Sequence, residues 1–310
     1  MNYRHAYHAG NFADVLKHSV LFALIQALEA KDTPFALIDT HAGSGCYALD
    51  SEEAGKTGEY RDGIARLMFP DLRQGGQGTL PSLLRHWLDA ILALPGNEHG
   101  LKLYPGSPLQ AARAMRATDS AQLCELHPEE VSRLRELFAR DHRVHVHHRN
   151  GYEALKGLLP PKEKRGLVLI DPPYEAQDNE FRLIEATLKA ALQRWPTGMY
   201  AIWYPIKLRS QVQPFLRWLQ HCGARRVLRA ELLVRPDDSP LRLNGSGMAI
   251  LNAPWNLDQM LRDPLQAMAR LLAQERAAQW QLDWLVQEQD AAGPSSPRHT
   301  KPLPPPRRPR

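Results

Sequence analysis

The chain has 310 residues, 43% hydrophobic and 24% charged, the profile of a soluble protein with apolar material for one large domain or one and a half. Residues 1–18 are polar and the first apolar helix candidate carries Asp14 and Lys17, which excludes a secretory signal there, and the scattered Cys46, Cys124 and Cys222 exclude a disulfide framework, so a cytoplasmic setting is expected without membrane or metal. The net charge of +5 invites a nucleic-acid reading, but Arg298, Lys301, Arg307, Arg308 and Arg310 sit in the acid-free segment 297–310, so the remainder is neutral and must rely on patches such as Arg209, Arg225, Arg226 and Arg229.

In chain order, Asn11-Phe-Ala-Asp14 can cap a helix running to about Leu28, with Asn11 accepting from the first free amides and Asp14 adding negative charge to the first turn. Pro34-Phe-Ala-Leu-Ile-Asp39 is a short apolar run that meets the turn Thr40-His41-Ala42-Gly43-Ser44-Gly45, as a buried parallel strand would. Further strand candidates are Gln122–Glu125, Arg143–His147, Gly166–Asp171, Met199–Ile206, Val227–Val234 and Met248–Asn252. Strand and helix alternate, which predicts an α/β fold with a mostly parallel seven-stranded sheet.

One interval breaks the rhythm. In a dinucleotide-type unit the acid that holds the ribose follows the glycines by about 20 residues, whereas Glu125 comes far later. Between them, Tyr60–Met68 places Ile64, Leu67 and Met68 at helical spacing, and Leu80–Leu94 carries Leu83, Leu84, Trp87, Leu88, Ile91 and Leu92 on one face. Residues 53–103 are therefore read as an inserted small helical subdomain. Residues 1–52 form an N-terminal motif and the first part of the main domain, and 104–289 its remainder. Met260–Gln287 suggests terminal helices. The Pro-rich basic tail 290–310 reads either as a phosphate-attracting arm or as a solvated, disordered end.

The chemistry concentrates at Asp171-Pro172-Pro173-Tyr174, at the end of an apolar strand, where sheet enzymes of this class place ligands. An adenine amino group is a poor nucleophile because its lone pair is delocalised into the ring. Asp171 and a carbonyl of the proline pair can accept both amino hydrogens and free that lone pair for in-line attack on a methyl sulfonium. Tyr174 offers a ring on which an extruded base can stack. The turn Gly43-Ser44-Gly45 lets a cofactor approach the backbone, and Glu125 can accept from ribose hydroxyls. His5, His8, His18 and His41 lack a metal-binding spacing, and His142, His145, His147 and His148 are read as partly buried histidines beside a strand.

Several motifs stand in one order: Tyr3-Arg4-His5, His8-Ala-Gly-Asn11, Ala13-Asp-Val-Leu-Lys-His18, Asp39-Thr-His-Ala-Gly43, Thr57-Gly-Glu-Tyr60 and Tyr104-Pro-Gly-Ser-Pro108. Then follow Glu125-Leu-His-Pro128, Asp171-Pro-Pro-Tyr-Glu175, Trp203-Tyr-Pro205 and Ser246-Gly-Met248. With them the chain resembles the bacterial 23S ribosomal RNA adenine-N6 methyltransferases of the RlmJ family, from about Tyr3 to Trp255.

The resemblance implies a Rossmann-like class I S-adenosylmethionine-dependent methyltransferase, a monomer, acting on one adenine of 23S rRNA before the ribosome is assembled. It implies that His18, His41, Gly43, Gly45, Ser107, Glu125, Asn150, Gly151 and Asp171 serve the cofactor. Asp171, with Pro172 and Tyr174, would be catalytic, and Tyr3, His5 and Lys17 would serve the substrate side or the closed active site. Where the family has Asp-Gly, this chain has Asn150-Gly151, whose side-chain carbonyl can still accept from the cofactor's adenine amino group.

Other readings compete. A DNA adenine methyltransferase has the same chemistry, but no duplex-reading module is visible. A non-catalytic RNA-binding protein of the same fold would be free to lose Asp171 and the glycines. Methylation of a protein glutamine would use a similar loop usually beginning with Asn, where this chain has Asp171.

Overall fold

Asn11 starts helix α1 (Phe12–Glu29), its side-chain oxygen accepting from the Asp14 amide at 2.9 Å and satisfying an open donor of the first turn. Its near-continuous apolar sequence lets α1 bury most of its length, including Asp14, Lys17 and His18. The computed structural model describes residues 4–68, 80–174, 177–239, 243–275 and 278–287. Tyr3 and the tail 290–310 lie outside the described residues.

After α1 the chain runs through β1 (Ala36–Asp39), β2 (Cys46–Ala48), α2 (Glu52–Thr57), α3 (Ile64–Met68), α4 (Ser82–Leu92), β3 (Leu103–Pro105) and α5 (Ser107–Ala114). It continues with β4 (Ser120–Glu125), α6 (Pro128–Leu137), β5 (Val144–His148), α7 (Gly151–Leu158), β6 (Gly166–Ile170), α8 (Gln177–Arg194) and β7 (Met199–Ile206). Last come α9 (Arg209–Leu219), β8 (Val227–Leu233), β9 (Gly245–Leu251), α10 (Leu257–Leu271) and β10 (Gln279–Val286).

The main sheet has the order β10-β8-β9-β7-β6-β1-β4-β5. From β5 to β7 neighbouring strands are parallel, and β9, β8 and β10 add antiparallel. The sheet is covered on both faces, as a parallel sheet requires. In β6, Leu167 and Leu169 join the core under α1, α4 and α10, while Val168 and Ile170 join the second core under α7, α8 and α9.

Two expectations are corrected. The main sheet has eight strands, not seven, because Gln279–Val286, read as helix, pairs antiparallel with β8. Beyond Leu271 the apolar period changes from helical to alternating. Trp280, Leu282 and Trp284 pack on the first core and Leu285 on the second, where Val286 joins it after a register shift between Trp284 and Val286.

In the region 53–103, α4 buries Leu83, Leu84, Trp87, Leu88 and Ile91 in the first core, while Leu92, assigned to that face, is 40% exposed. The antiparallel pairing of β2 with β3 brings the two ends of this region together. No helix among the described residues is long and apolar enough to cross a membrane.

Candidate active site

Asp39 ends β1, Glu125 ends β4 and Asp171 follows β6 directly. The three strands are neighbours and point the same way, so their three acids share one sheet edge. After β5 the chain returns to the far side of β1, which makes this edge the crevice where open α/β sheets bind ligands. A cavity of about 880 Å³ opens there. Of the expected site residues, His5, Lys17, His18, His41, Gly43, Ser107, Glu125, Asn150, Gly151, Asp171, Pro172 and Tyr174 line it. Gly45 does not line it; it shapes the turn beneath.

The side of the cavity where the cofactor is expected is built on backbone. Gly43 and Gly45 take positive φ of 60° and 80°, a region that disfavours side chains. Glu125 accepts from the Gly43 amide at 2.8 Å through Oε2, and from the Leu126 and His127 amides, both at 2.7 Å, through Oε1. These bonds fix the carboxylate across the cavity. Gly151 allows α7 to touch β1's exit, since a Cβ there would lie 2.1 Å from the Thr40 carbonyl.

Asp39 is buried and accepts from Ser107 Oγ at 2.6 Å and from the His41 amide at 3.1 Å. Burial pushes its carboxyl up to about 6, against the effect of those two hydrogen bonds. Loss of hydration brings His41 down to about 3, so its ring is neutral. Thr40 Oγ1 donates to the Leu169 carbonyl at 3.0 Å and contacts His41 Nδ1 at 2.8 Å. With its single hydrogen spent on Leu169, Thr40 accepts from Nδ1–H. His18 is likewise driven well below its ordinary value by burial, and its Nδ1 meets the Tyr104 hydroxyl at 2.7 Å.

The structure revises the reading of Asn150. Its Oδ1 caps α7, accepting from the Tyr152 and Glu153 amides at 2.9 and 3.2 Å. The carbonyl expected to face the cofactor is therefore occupied by the helix, which leaves the Nδ2 donor for the cavity.

Around Asp171, Lys17 Nζ donates to Oδ2 at 2.5 Å and to Asp14 Oδ1 at 2.8 Å. Asp14 Oδ2 also accepts from His5 Nε2 and from the Gly10 amide, both at 2.9 Å. Burial alone would lower the Lys17 ammonium, but Asp14 and Asp171 outweigh it and raise it. Burial would likewise raise Asp14, yet the neighbouring His5 and the Lys17 ammonium hold it well below the usual carboxylate range. Asp171 Oδ1 has no protein partner among the described residues. Tyr174 is only 8% exposed, donates to the Trp203 carbonyl at 2.7 Å and meets Phe181 and Trp203 edge-on, so a base can reach a patch of its ring but not an open plate.

Sequence reasoning missed several lining residues. Asp14 was read only as a charge in the first turn, although a charged i, i+3 pair with Lys17 on an otherwise apolar helix is a signal of buried function. Glu59, which binds His8 Nδ1 at 3.0 Å and Asn11 Nδ2 at 2.9 Å, ties the N-terminal segment to the region of α2 and α3. Trp203, Lys207 and Arg235 also line the cavity.

The basic patch predicted at Arg209, Arg225, Arg226 and Arg229 does not form. Arg209 pairs with Glu231 and Asp237, and Arg229 with Asp283. Arg225 and Arg226 stand at the opposite sheet edge, the latter over the Trp284 ring. The expected partial burial of the histidines on and beside β5 also fails for His142, His145 and His148, which are exposed because β5 is an edge strand.

Ribosomal RNA large subunit methyltransferase J of Haemophilus influenzae is 41% identical over 288 residues, covering 93% of this chain and 100% of the relative. The Escherichia coli protein of the same name is 40% identical over 289 residues, with the same coverage. The crystal structure of LPL1258 from Legionella pneumophila superposes with a TM-score of 0.79 at 34% identity, covering 89% of this chain and 98% of that one. A family model described as "Ribosomal RNA large subunit methyltransferase D, RlmJ" matches residues 32–286, and the chain belongs to that family.

Proposed function

We propose that this protein transfers a methyl group from S-adenosylmethionine to the N6 amino group of an adenine in 23S rRNA, acting on RNA free of ribosomal proteins. The observation that carries the reading is Asp171. It stands beside Pro172 at the carboxyl end of β6, with Oδ2 engaged by Lys17 and Oδ1 left for a ligand.

The residues fit such a cofactor. Glu125, held by three amides, presents acceptor capacity for ribose hydroxyls, and neutral His41 and His18 add no charge beside a sulfonium. When bound, the cofactor supplies an electrophilic methyl group. Asp171 Oδ1 and the Pro172 carbonyl accept the two amino hydrogens and turn the nitrogen lone pair toward that methyl. Lys17 fixes the carboxylate's orientation, and His5 and Asp14 fix Lys17. As the nitrogen gains positive charge, Asp171 stabilises it and is the nearest acceptor for the proton that leaves.

Incubation of purified protein with cofactor and either protein-free 23S rRNA or duplex DNA, followed by nucleoside mass spectrometry, tests this. The expected product is N6-methyladenosine from the RNA alone. Equal methylation of duplex DNA overturns the RNA assignment.

A further inference from the structure

A nucleotide entering this cavity brings a phosphate, and the walls restrict where it can go. Among the described residues, the cavity is lined by the acids Asp14, Glu59, Asp62, Glu125, Glu130, Asp171 and Glu180 and by only three lysine or arginine side chains, Lys17, Lys207 and Arg235. Lys17 is buried and engaged by two carboxylates, so it is not free for a third anion. Lys207 is exposed and forms no ion pair among the described residues, and Arg235 stands 3.7 Å from Glu275 and donates to the Leu243 carbonyl at 3.2 Å through one guanidinium nitrogen.

Both stand on rigid backbone. Lys207 follows β7 and Arg235 lies two residues beyond β8, strands that point the same way on either side of β9. Buried Asn244 joins them: its amide donates to the Ile206 carbonyl at 2.9 Å and its Nδ2 to the Lys207 carbonyl at 2.6 Å. The Asn244 carbonyl accepts from the Val234 and Arg235 amides at 2.9 and 3.2 Å. Trp203 and Pro205 line the cavity on the same side.

We infer that Lys207 and Arg235 form the subsite for the RNA phosphate adjoining the target adenosine, holding the backbone at the sheet edge while the base reaches Asp171. The inference rests on the function proposed above. Electrostatics points there, because the rest of the lining carries the carboxylates and a lysine already engaged by two of them, whereas here a phosphate meets a lysine without an ion-pair partner among the described residues and an arginine whose carboxylate stands at 3.7 Å.

The test compares wild type with Lys207→Glu, Lys207→Ala and Lys207→Arg, using protein-free 23S rRNA as the methyl acceptor. Losing one phosphate contact removes a factor of about five in RNA affinity at about 0.15 M salt, and lowers the slope of log affinity against log salt by about 0.7 to 0.9. Lys207→Ala is expected to raise KM for the RNA by that factor, Lys207→Glu by more, and Lys207→Arg to restore it, with the change in KM and not in kcat. Calorimetric affinity for the cofactor stays at the wild-type value, which verifies folding. An unchanged KM and salt slope in Lys207→Glu overturns the subsite. A wild-type protein that transfers no methyl to the RNA overturns instead the function on which the subsite rests.

Discussion

Replacing Asp171 by Asn separates shape from charge at the reacting atom. The ammonium of Lys17 has only donors and sits 2.5 Å from Oδ2 of Asp171. In the variant it claims the single amide oxygen, turning the new NH2 toward the position that Oδ1 occupies now. A donor then faces the substrate's amino group, which is also a donor, and the negative charge that balances the developing cation is lost. Loss of one such preorganised group lowers turnover on the order of 100- to 1,000-fold, about 3 to 4 kcal/mol. The fold should hold, because Asp14 still binds Lys17 at 2.8 Å. Single-turnover methyl transfer measured beside calorimetric cofactor affinity separates chemistry from binding. The expected result is near-normal cofactor binding with slow transfer. Adding Lys17→Met frees the amide to flip, so the double variant should be no slower than Asp171→Asn alone. An Asn variant that turns over like wild type refutes the reasoning.

Further outcomes follow from the same contacts. Glu125→Ala orphans three amides and removes the ribose acceptor, so cofactor affinity should fall by roughly 1 to 3 kcal/mol; an unchanged calorimetric Kd removes Glu125 from the site. Asn150→Asp keeps the α7 cap and gives the cavity an acceptor in place of Nδ2. Cofactor binding should tighten roughly threefold to tenfold, whereas Asn150→Ala should destabilise the fold by about 1 kcal/mol through the lost cap, both readable by calorimetry and thermal melts.

The hydrogen bond that His8 donates to Glu59 raises the His8 pKa against the lowering effect of burial. The stability it contributes is therefore complete below about pH 6.5, the unfolded value of histidine, and is lost as pH rises through the higher folded value. The difference in thermal stability between wild type and Glu59→Gln should therefore be largest at about pH 6 and shrink towards about pH 8, and parallel curves would exclude the pair as the cause.

The strands and the acid at the exit of β6 were legible because each depends on local order. A run such as Gly166–Ile170 buries both faces and so reads as continuous apolar sequence, and Asp171-Pro172-Pro173-Tyr174 marks its exit. Asn11 reads as a cap from its own type and position. Tertiary structure decided what depends on partners distant in sequence. Asp14 and Lys17 became one network with Asp171 only when α1 packed against the end of β6, 154 residues away from Lys17. Arg229, a candidate for RNA by charge alone, is neutralised by Asp283 on β10, a strand whose pairing with β8 no local propensity announced. Lys207 and Arg235 are ordinary surface residues in the sequence, and converge on one cavity wall because β9 returns between β7 and β8 and Asn244 joins the two strand exits. Residue type and local spacing specify elements and their chemistry. Which charges remain free is a property of neighbours, and neighbours are set by the fold.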